Sequence, residues 1–390
     1  MTEPLERYRR ELDELAAGHL QRTRLTLDGP QAGHVEVDGR RLLNFCSNDY
    51  LGLANDPRVV EAMQQSAARY GVGSGASHLV NGHRAAHAAL EEALAAFVGA
   101  ERAVTFSTGY MANLAIAQVF AGRGDLVLED KLNHASLIDA GLLTRADFRR
   151  YLHGDAARAR RMLGARESGQ AVILSDAVFS MDGDIAPVND LVDAAREHGA
   201  LAVFDDAHGF GVHGPDGRGT LARFDVPPRG NVLMMGTLGK AIGTFGAFVA
   251  GDAVLIELLI QKARTYIYTT ALPPALADAT RAALDLARHE AWRRDRLRES
   301  VARFRAGAAG LDLALLDSDT PIQPVVVGEP ERALRMSSAL REAGVLVVAI
   351  RPPTVPEGTA RLRVTFSADH TDDDVDRLLA ALDAARGAAD

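Results

Sequence analysis

Apolar positions recur at two periods along the chain. Over residues 3–20, Leu5, Tyr8, Leu12 and Leu15 return at helical spacing with Glu and Arg between them, which predicts an amphipathic helix. In His34-Val35-Glu36-Val37-Asp38-Gly39-Arg40 apolar and polar residues alternate and Asp38-Gly39 supplies a turn. A strand pair is expected there, followed by a short strand over 42–45. From about residue 85 the two periods take turns. The pattern predicts helices at 85–98, 110–121, 135–144, 156–166, 189–198 and 252–264. Between them it predicts strands at 103–107, 126–128, 149–152, 171–174, 201–204, 232–235 and 247–249. Strands separated by single helices form a mostly parallel sheet covered on both faces. Such sheets bind ligands beyond the C-terminal ends of their strands.

Near Pro273-Pro274 the pattern changes. An Arg-rich helical stretch runs to about residue 309, then a strand at 324–327, a helix at 331–343, strands at 345–350 and 360–366, and a final helix. Thr371 is the expected cap of that helix, with Asp372, Asp373 and Asp374 in the first turn, where negative charge suits the helix dipole. Three parts follow: an N-terminal helix with short strands over 1–48, a large α/β domain over 49–280, and a small α+β domain over 281–390. No internal repeat or low-complexity segment interrupts them.

Composition narrows the class. A chain of 390 residues, 47% apolar and 24% charged, has the mix of a soluble globular protein with one large domain and a smaller one. The net charge of −9 argues against a nucleic-acid or membrane-surface role. No apolar run approaches the ~20 residues that span a bilayer, and the charged N-terminus lacks the apolar core of a secretory signal, so a cytoplasmic protein is expected. The single cysteine, Cys46, excludes an intrachain disulfide and a cysteine-rich metal site. Lysine occurs only as Lys131, Lys240 and Lys262 among 43 basic residues. Arginine stays protonated, so any amine chemistry has three candidates.

The candidate chemistry gathers where strands end. Val203-Phe204-Asp205-Asp206-Ala207-His208-Gly209 places two acids and a histidine just past an apolar strand. Solvated turn residues are the ordinary reading of an Asp-Asp pair. A metal site stays open, although no His-Glu-x-x-His pattern accompanies it. Gly209-Phe-Gly211-Val-His-Gly214 matches G-x-G-x-x-G, but Pro215, Gly217 and Gly219 forbid the helix that a dinucleotide fingerprint must open. Gly236-Thr-Leu-Gly239-Lys240-Ala241 fails the P-loop pattern in spacing, and Ala241 stands where that loop needs Ser or Thr. A lysine among small residues after an apolar strand has another use, because desolvation favours its neutral, nucleophilic form.

Ser107-Thr108-Gly109-Tyr110-Met111-Ala112-Asn113 passes from strand to helix, a geometry that turns backbone N–H groups toward an anion, or serves as a plain helix cap. Thr237 adds a hydroxyl near Lys240. Asn133-His134-Ala135-Ser136 opens another helix, and Phe179-Ser180-Met181-Asp182-Gly183-Asp184 reads as a turn after the next strand. Each is ordinary alone. Together Gly109, His134, Ser180, Asp205, His208 and Lys240 fall beyond successive strand ends of one sheet, which predicts one crevice.

These motifs, in this order, resemble the α-oxoamine synthase group of pyridoxal-phosphate enzymes. Asn44-Phe-Cys-Ser-Asn48-Asp-Tyr-Leu-Gly-Leu53, Gly73-Ser-Gly75, Asn133-His134-Ala-Ser-Leu, Val178-Phe-Ser180-Met-Asp-Gly-Asp, Asp205-Asp-Ala-His208-Gly and Thr237-Leu-Gly-Lys240 carry the likeness over nearly the whole chain. It implies an α/β fold, the aspartate-aminotransferase-like fold type I of pyridoxal-phosphate transferases. The run Ala349-Ile-Arg351-Pro-Pro-Thr354-Val-Pro-Glu-Gly-Thr-Ala-Arg361-Leu-Arg363 resembles the branch that joins L-alanine to a pimeloyl thioester with loss of CO₂, in biotin synthesis. The acyl donor is then pimeloyl-coenzyme A or a pimeloyl acyl carrier protein. A sister enzyme using glycine and acetyl-coenzyme A is the alternative.

Roles implied by the resemblance are as follows. Lys240 holds pyridoxal phosphate covalently and moves the Cα proton of the substrate. Asp205 pairs with the pyridinium nitrogen, and His134 stacks on the ring beside the substrate. His208 and Ser180 lie near the phenolic oxygen. Gly109, Tyr110 and Thr237 hold the phosphate, with Thr270 reaching in from the second subunit of a homodimer. Gly73-Ser-Gly75 lies at that subunit boundary. Asn48 and Arg363 grip the amino-acid carboxylate. Arg22 and Thr354 meet the acyl substrate, with Arg24 close to Arg22. His78 stands where many of the group have arginine. No metal is implied.

Overall fold

The computed structural model describes residues 4–389. In chain order the first helices are α1 (Pro4–Ala17), α2 (Pro57–Tyr70), α3 (Ala85–Val98), α4 (Gly109–Phe120), α5 (Ala135–Leu143), α6 (Ala156–Gly164) and α7 (Val188–Glu197). There follow α8 (Thr220–Arg223), α9 (Ala253–Lys262), α10 (Arg264–Ile267), α11 (Pro274–His289), α12 (Ala291–Ala309), α13 (Pro330–Glu342) and α14 (Asp372–Ala389). The strands are β1 (Leu27–Asp28), β2 (His34–Val37), β3 (Arg40–Asn44), β4 (Arg102–Phe106), β5 (Leu126–Asp130), β6 (Asp147–Tyr151) and β7 (Ala171–Asp176). The rest are β8 (Leu201–Asp205), β9 (Val232–Thr237), β10 (Ala247–Gly251), β11 (Ile322–Gly328), β12 (Val345–Leu346), β13 (Val348–Ile350) and β14 (Ala360–Thr365).

Contacts divide the chain into two units. The larger comprises residues 49–180 and 184–295. Its seven-stranded sheet has the order β4-β10-β9-β8-β7-β5-β6. Strands β5 to β9 pair in parallel. The inner strands β7, β8 and β9 read as nearly continuous apolar runs because helices cover both faces, whereas the edge strand β6 is polar and largely exposed. Val104, Val127, Val172, Leu174, Val203, Leu233 and Met235 form the core with Ala112, Ala115 and Ile116 of α4. β10 runs antiparallel to both β9 and β4. Residues 238–246 join β9 to β10 without a helix, and a parallel return needs a longer crossover.

The sequence pattern left residues 49–84 unassigned, yet α2 lies there. Asp56 caps it, its Oδ1 accepting from Arg58 N at 3.0 Å, and Pro57 occupies the first helical position. Its apolar stripe is weak: Val59 is buried, whereas Val60 and Met63 are exposed. The Arg-rich stretch expected after residue 273 is two helices, α11 and α12, broken at Glu290.

The smaller unit comprises the described residues of 1–48, residues 181–183 and residues from 296 onward. Helix α1 spans Pro4–Ala17, and the expected start at residue 3 lies outside the described residues. Its Leu5, Tyr8, Leu12 and Leu15 are exposed. β2 and β3 form one hairpin whose turn residues Asp38 and Gly39 both have positive φ, at 52° and 71°. The strand expected over 42–45 is the second arm of this hairpin. The strand expected over 345–350 is divided at Val347: β12 pairs in parallel with β3, and β13 pairs with β14. Thr371 caps α14 as predicted. Its Oγ1 accepts from Asp374 N at 3.2 Å, and Asp374 Oδ2 accepts from Thr371 N at 2.9 Å.

Candidate active site

In the larger unit the loops leaving β4, β5, β7, β8 and β9 enclose a cavity of about 220 Å³. Gly109, Tyr110, His134, Ser180, Asp205, His208, Thr237 and Lys240 all line it, with Ser136, Asp176, Ala207 and Met235. The convergence expected from strand ends is therefore met within this unit.

Asp205 is the last residue of β8 and is buried. Its Oδ2 accepts from Asn113 Nδ2 at 2.7 Å, and its Oδ1 accepts from Ala207 N at 3.0 Å. The same Asn113 amide donates to Ser136 Oγ at 2.9 Å, and Ser136 Oγ lies 2.8 Å from His134 Nδ1. A buried polar chain thus runs from Asp205 through Asn113 and Ser136 to His134. His134 is the N-cap residue of α5, and its backbone N donates to Asp176 Oδ2 at 2.9 Å. Burial lowers the His134 pKa, against the opposing pull of Asp205.

Asp176 is the register partner of Asp205 on the adjacent strand. Burial, and then the charge of Asp205, hold Asp176 well above the usual carboxylate range.

Lys240 follows β9 by three residues. Its Nζ lies 2.9 Å from His208 Nε2, and His208 Nδ1 lies 2.6 Å from the hydroxyl of Tyr50. Tyr50 is fully buried. The second acid of the pair, Asp206, has a different task. Its two carboxylate oxygens accept from Thr220 N at 2.7 Å and Thr220 Oγ1 at 2.5 Å, and burial raises its pKa to about 7. Asp206 therefore pins the loop that carries His208. A Cβ at Gly209 would come within 2.2 Å of Asp206 Oδ1, so the glycine there is a packing requirement. Past Gly214 a single 3₁₀ turn at Pro215–Gly217 replaces the helix a dinucleotide site needs.

The N-terminus of α4 opens at Gly109, with Thr108 Oγ1 accepting from Met111 N at 3.2 Å. It presents free N–H groups and the positive end of the helix dipole. Thr237 Oγ1 donates to Gly246 O at 3.1 Å, and the Tyr110 hydroxyl donates to Asp139. Sequence reasoning gave no role to Tyr50, Ser136 or Asp176 and took Asn113 only as part of a strand-to-helix motif.

Other predicted residues stand elsewhere. Thr270 bridges to Ser77 in the larger unit and does not line the cavity. In the smaller unit Arg363 Nη1 donates to Asn48 Oδ1 at 3.1 Å. Also in that unit Arg22 and Thr354 line a second pocket, of about 250 Å³, together with Arg351. Arg24 is not among its lining residues. His78 stacks on Tyr266 at 4.8 Å and lies near His83 and His87. His87 uses both ring nitrogens, accepting from Arg84 N at 2.9 Å and contacting Leu272 O at 2.8 Å. Burial pushes the Cys46 thiol up to about 12.

Residues 40–382 match the family described as aminotransferase class I and II. A curated 8-amino-7-oxononanoate synthase from Thioalkalivibrio sulfidiphilus is 57% identical over 97% of both chains. A solved serine palmitoyltransferase from S. paucimobilis, with a bound PLP–myriocin aldimine, superposes with a TM-score of 0.93 at 28% identity, covering 99% of each chain. A solved 8-amino-7-oxononanoate synthase from Francisella tularensis gives a TM-score of 0.78 at 30% identity, covering 89% of this chain and 98% of the other.

Proposed function

The chain belongs to the class I and II aminotransferase family, and from that premise we propose that it makes 8-amino-7-oxononanoate, by decarboxylative condensation of L-alanine with a pimeloyl thioester. Its cofactor is pyridoxal 5'-phosphate, and the reaction serves biotin biosynthesis. The observation that carries this reading is one cavity lined at once by Lys240, Asp205 and the N-terminus of α4.

The cavity suits the cofactor's three chemical needs. Lys240 offers an amine for its carbonyl, Asp205 a carboxylate for its ring nitrogen, and Gly109 and Tyr110 the backbone N–H groups of the α4 N-terminus for its phosphate, to which Thr237 would turn its hydroxyl from Gly246 O. When bound, the cofactor supplies an electron-accepting ring for a substrate carbon that loses a proton or CO₂.

The chain's own residues do the rest. Asn113 fixes the Asp205 carboxylate that would pair with the ring nitrogen. His134, which lines the cavity, would stack on the cofactor ring beside the substrate. Lys240 Nζ moves the proton at the alanine Cα, with His208 Nε2 as its hydrogen-bond partner at 2.9 Å. His208 and Ser180 would hold the phenolic oxygen. Arg363, with Asn48, takes the alanine carboxylate. Arg22 and Thr354 take the acyl chain. Thr270 adds a phosphate contact from the second copy of a cytoplasmic homodimer. The net charge of −9 and the absence of a membrane-crossing helix among the described residues accord with that setting.

The test is a product assay on purified protein with L-alanine and pimeloyl-coenzyme A or pimeloyl acyl carrier protein, and with glycine and acetyl-coenzyme A as the sister reaction. A yellow protein, borohydride labelling confined to Lys240, and an alanine-dependent product are expected. A colourless protein that gains no visible band with added pyridoxal phosphate would overturn the reading. Light scattering checks the dimer.

A further inference from the structure

Outside the cavity, at the same C-terminal margin of the sheet, lies a second concavity of about 510 Å³. Lys131, Arg150, Arg158 and Arg161 line it, with Leu152 and a single carboxylate, Asp155. The sequence explains the grouping. Lys131 follows the last residue of β5, three positions before His134. Its backbone N donates to Tyr151 O at 3.0 Å, which fixes it beside the end of the edge strand β6 that carries Arg150. Arg158 and Arg161 sit three apart on α6 and so share a face. Arg160, on another face, pairs with Glu197 at 3.2 Å.

Among the described residues these four cations form no ion pair, in a chain whose net charge is −9. Arg150 instead donates to Lys131 O, and Asp155 uses its Oδ1 to cap α6, accepting from Arg158 N at 2.8 Å. Many other arginines of the chain are paired with acids, among them Arg58, Arg102, Arg293, Arg303 and Arg361. Like charges gathered on one surface repel one another unless an anionic partner meets them, and such a patch steers that partner.

We propose that this basic concavity docks an acidic acyl carrier protein, bringing its pimeloyl thioester to the margin of the cavity three residues from His134. The proposal rests on the reaction proposed above and specifies how its acyl donor is presented. Two features favour a protein surface over a free nucleotide. Leu152 is 63% exposed and Leu132, next to Lys131, is 37% exposed, so apolar ground flanks the cations. The aromatic residue of the concavity, Tyr151, is 2% exposed and offers no face on which a purine could stack. Charged rim and apolar anchors are what an acidic amphipathic helix meets.

The experiment measures binding and turnover separately. Fluorescence anisotropy follows fluorescently labelled pimeloyl acyl carrier protein binding to the cofactor-loaded enzyme, its R158E/R161E variant and the milder R158A/R161A. At least about tenfold weaker binding is expected for the charge-reversed pair, with an intermediate loss for the alanine pair and a salt dependence that flattens in both. In steady-state assays the same variants keep kcat/KM for pimeloyl-coenzyme A within about twofold while losing it for the carrier-bound donor. Equal binding by wild type and variants overturns the proposal, as does an equal loss with both donors. No turnover by the wild type with either donor, alongside charge-dependent binding, instead strikes the reaction reading and leaves the docking surface standing.

Discussion

Asn113 holds Asp205: its Nδ2 donates to Asp205 Oδ2 across 2.7 Å, with both residues buried. The asparagine sits one turn inside α4, so the helix whose N-terminus lines the cavity also orients the acid on β8. A hydrogen bond to a charged group contributes about 1.5–3 kcal/mol. Asn113→Ala is expected to weaken retention of pyridoxal phosphate by about tenfold or more. Absorbance titration of the apoenzyme checks it; cofactor affinity within about twofold of wild type would remove Asn113 from the site.

Tyr50 and His208 form the second relay. With the Tyr50 hydroxyl 2.6 Å from His208 Nδ1, the opposite ring nitrogen is kept toward Lys240 at 2.9 Å. Tyr50→Phe leaves the ring volume and removes the anchor. A loss of about tenfold in kcat is expected, from about 1–2 kcal/mol of hydrogen bonding, with the melting temperature little changed. The pH–rate profile should shift with kcat, since the relay ends on the amine of Lys240. An unchanged profile together with unchanged kcat speaks against the relay.

The strand-end residues were legible in the sequence because a parallel sheet places its ligands beyond its C-terminal ends. Lys240 stood out because lysine is scarce, and Asp205 and His208 because they close an apolar strand. The support beneath them was not legible. Asn113 meets Asp205 only once α4 packs over the sheet, and Tyr50 meets His208 from 158 positions away. Local pattern carries no record of such contacts. The same limit hid the reversal of β10, which depends on the length of a loop, and the division of 345–350, where Val345 and Leu346 pair with β3 and, past Val347, residues 348–350 pair with β14. α2 announced itself only by Asp56-Pro57, its apolar stripe being too sparse to read.

Arg363 provides a test of substrate recognition. Its Nη1 donates to Asn48 Oδ1 at 3.1 Å, which fixes the guanidinium plane. A lysine keeps the charge but loses the fork that matches a carboxylate. Arg363→Lys is expected to raise KM for L-alanine by about tenfold or more, with a smaller change in kcat. Steady-state kinetics at saturating acyl donor measures this. An unaltered alanine KM would move the carboxylate contact elsewhere.

Lys240→Ala tests the centre of the site. With the amine gone, nothing at that position can hold the cofactor covalently or move the Cα proton. Turnover should fall by at least about a thousandfold, because general acid–base and covalent roles are both lost. Mass spectrometry after borohydride treatment should find no cofactor attached to the chain, and the melting curve should stay close to that of wild type. Appreciable remaining turnover would count against the assignment.

His153 gives the larger unit a pH dependence whose sign can be worked out. Its Nδ1 lies 3.0 Å from Asp130 Oδ1 and its Nε2 lies 2.9 Å from Asp184 Oδ2. The hydrogen bonds to Asp130 and then Asp184 raise the imidazole to about 10. The folded protein therefore holds this proton more tightly than the unfolded chain, where histidine titrates near its ordinary value of about 6.5. The resulting stability is fully present below about pH 6.5 and is lost as pH rises through about 10. Asp130 also accepts from Leu132 N and Gly154 N, both at 2.8 Å, so the pair secures the turn after β5. In His153→Gln the charge is gone at every pH. Thermal melts at matched ionic strength should show the variant less stable than wild type near pH 6, with the gap narrowing steadily toward pH 10. A gap that stays constant across that range would show that His153 acts there by shape alone.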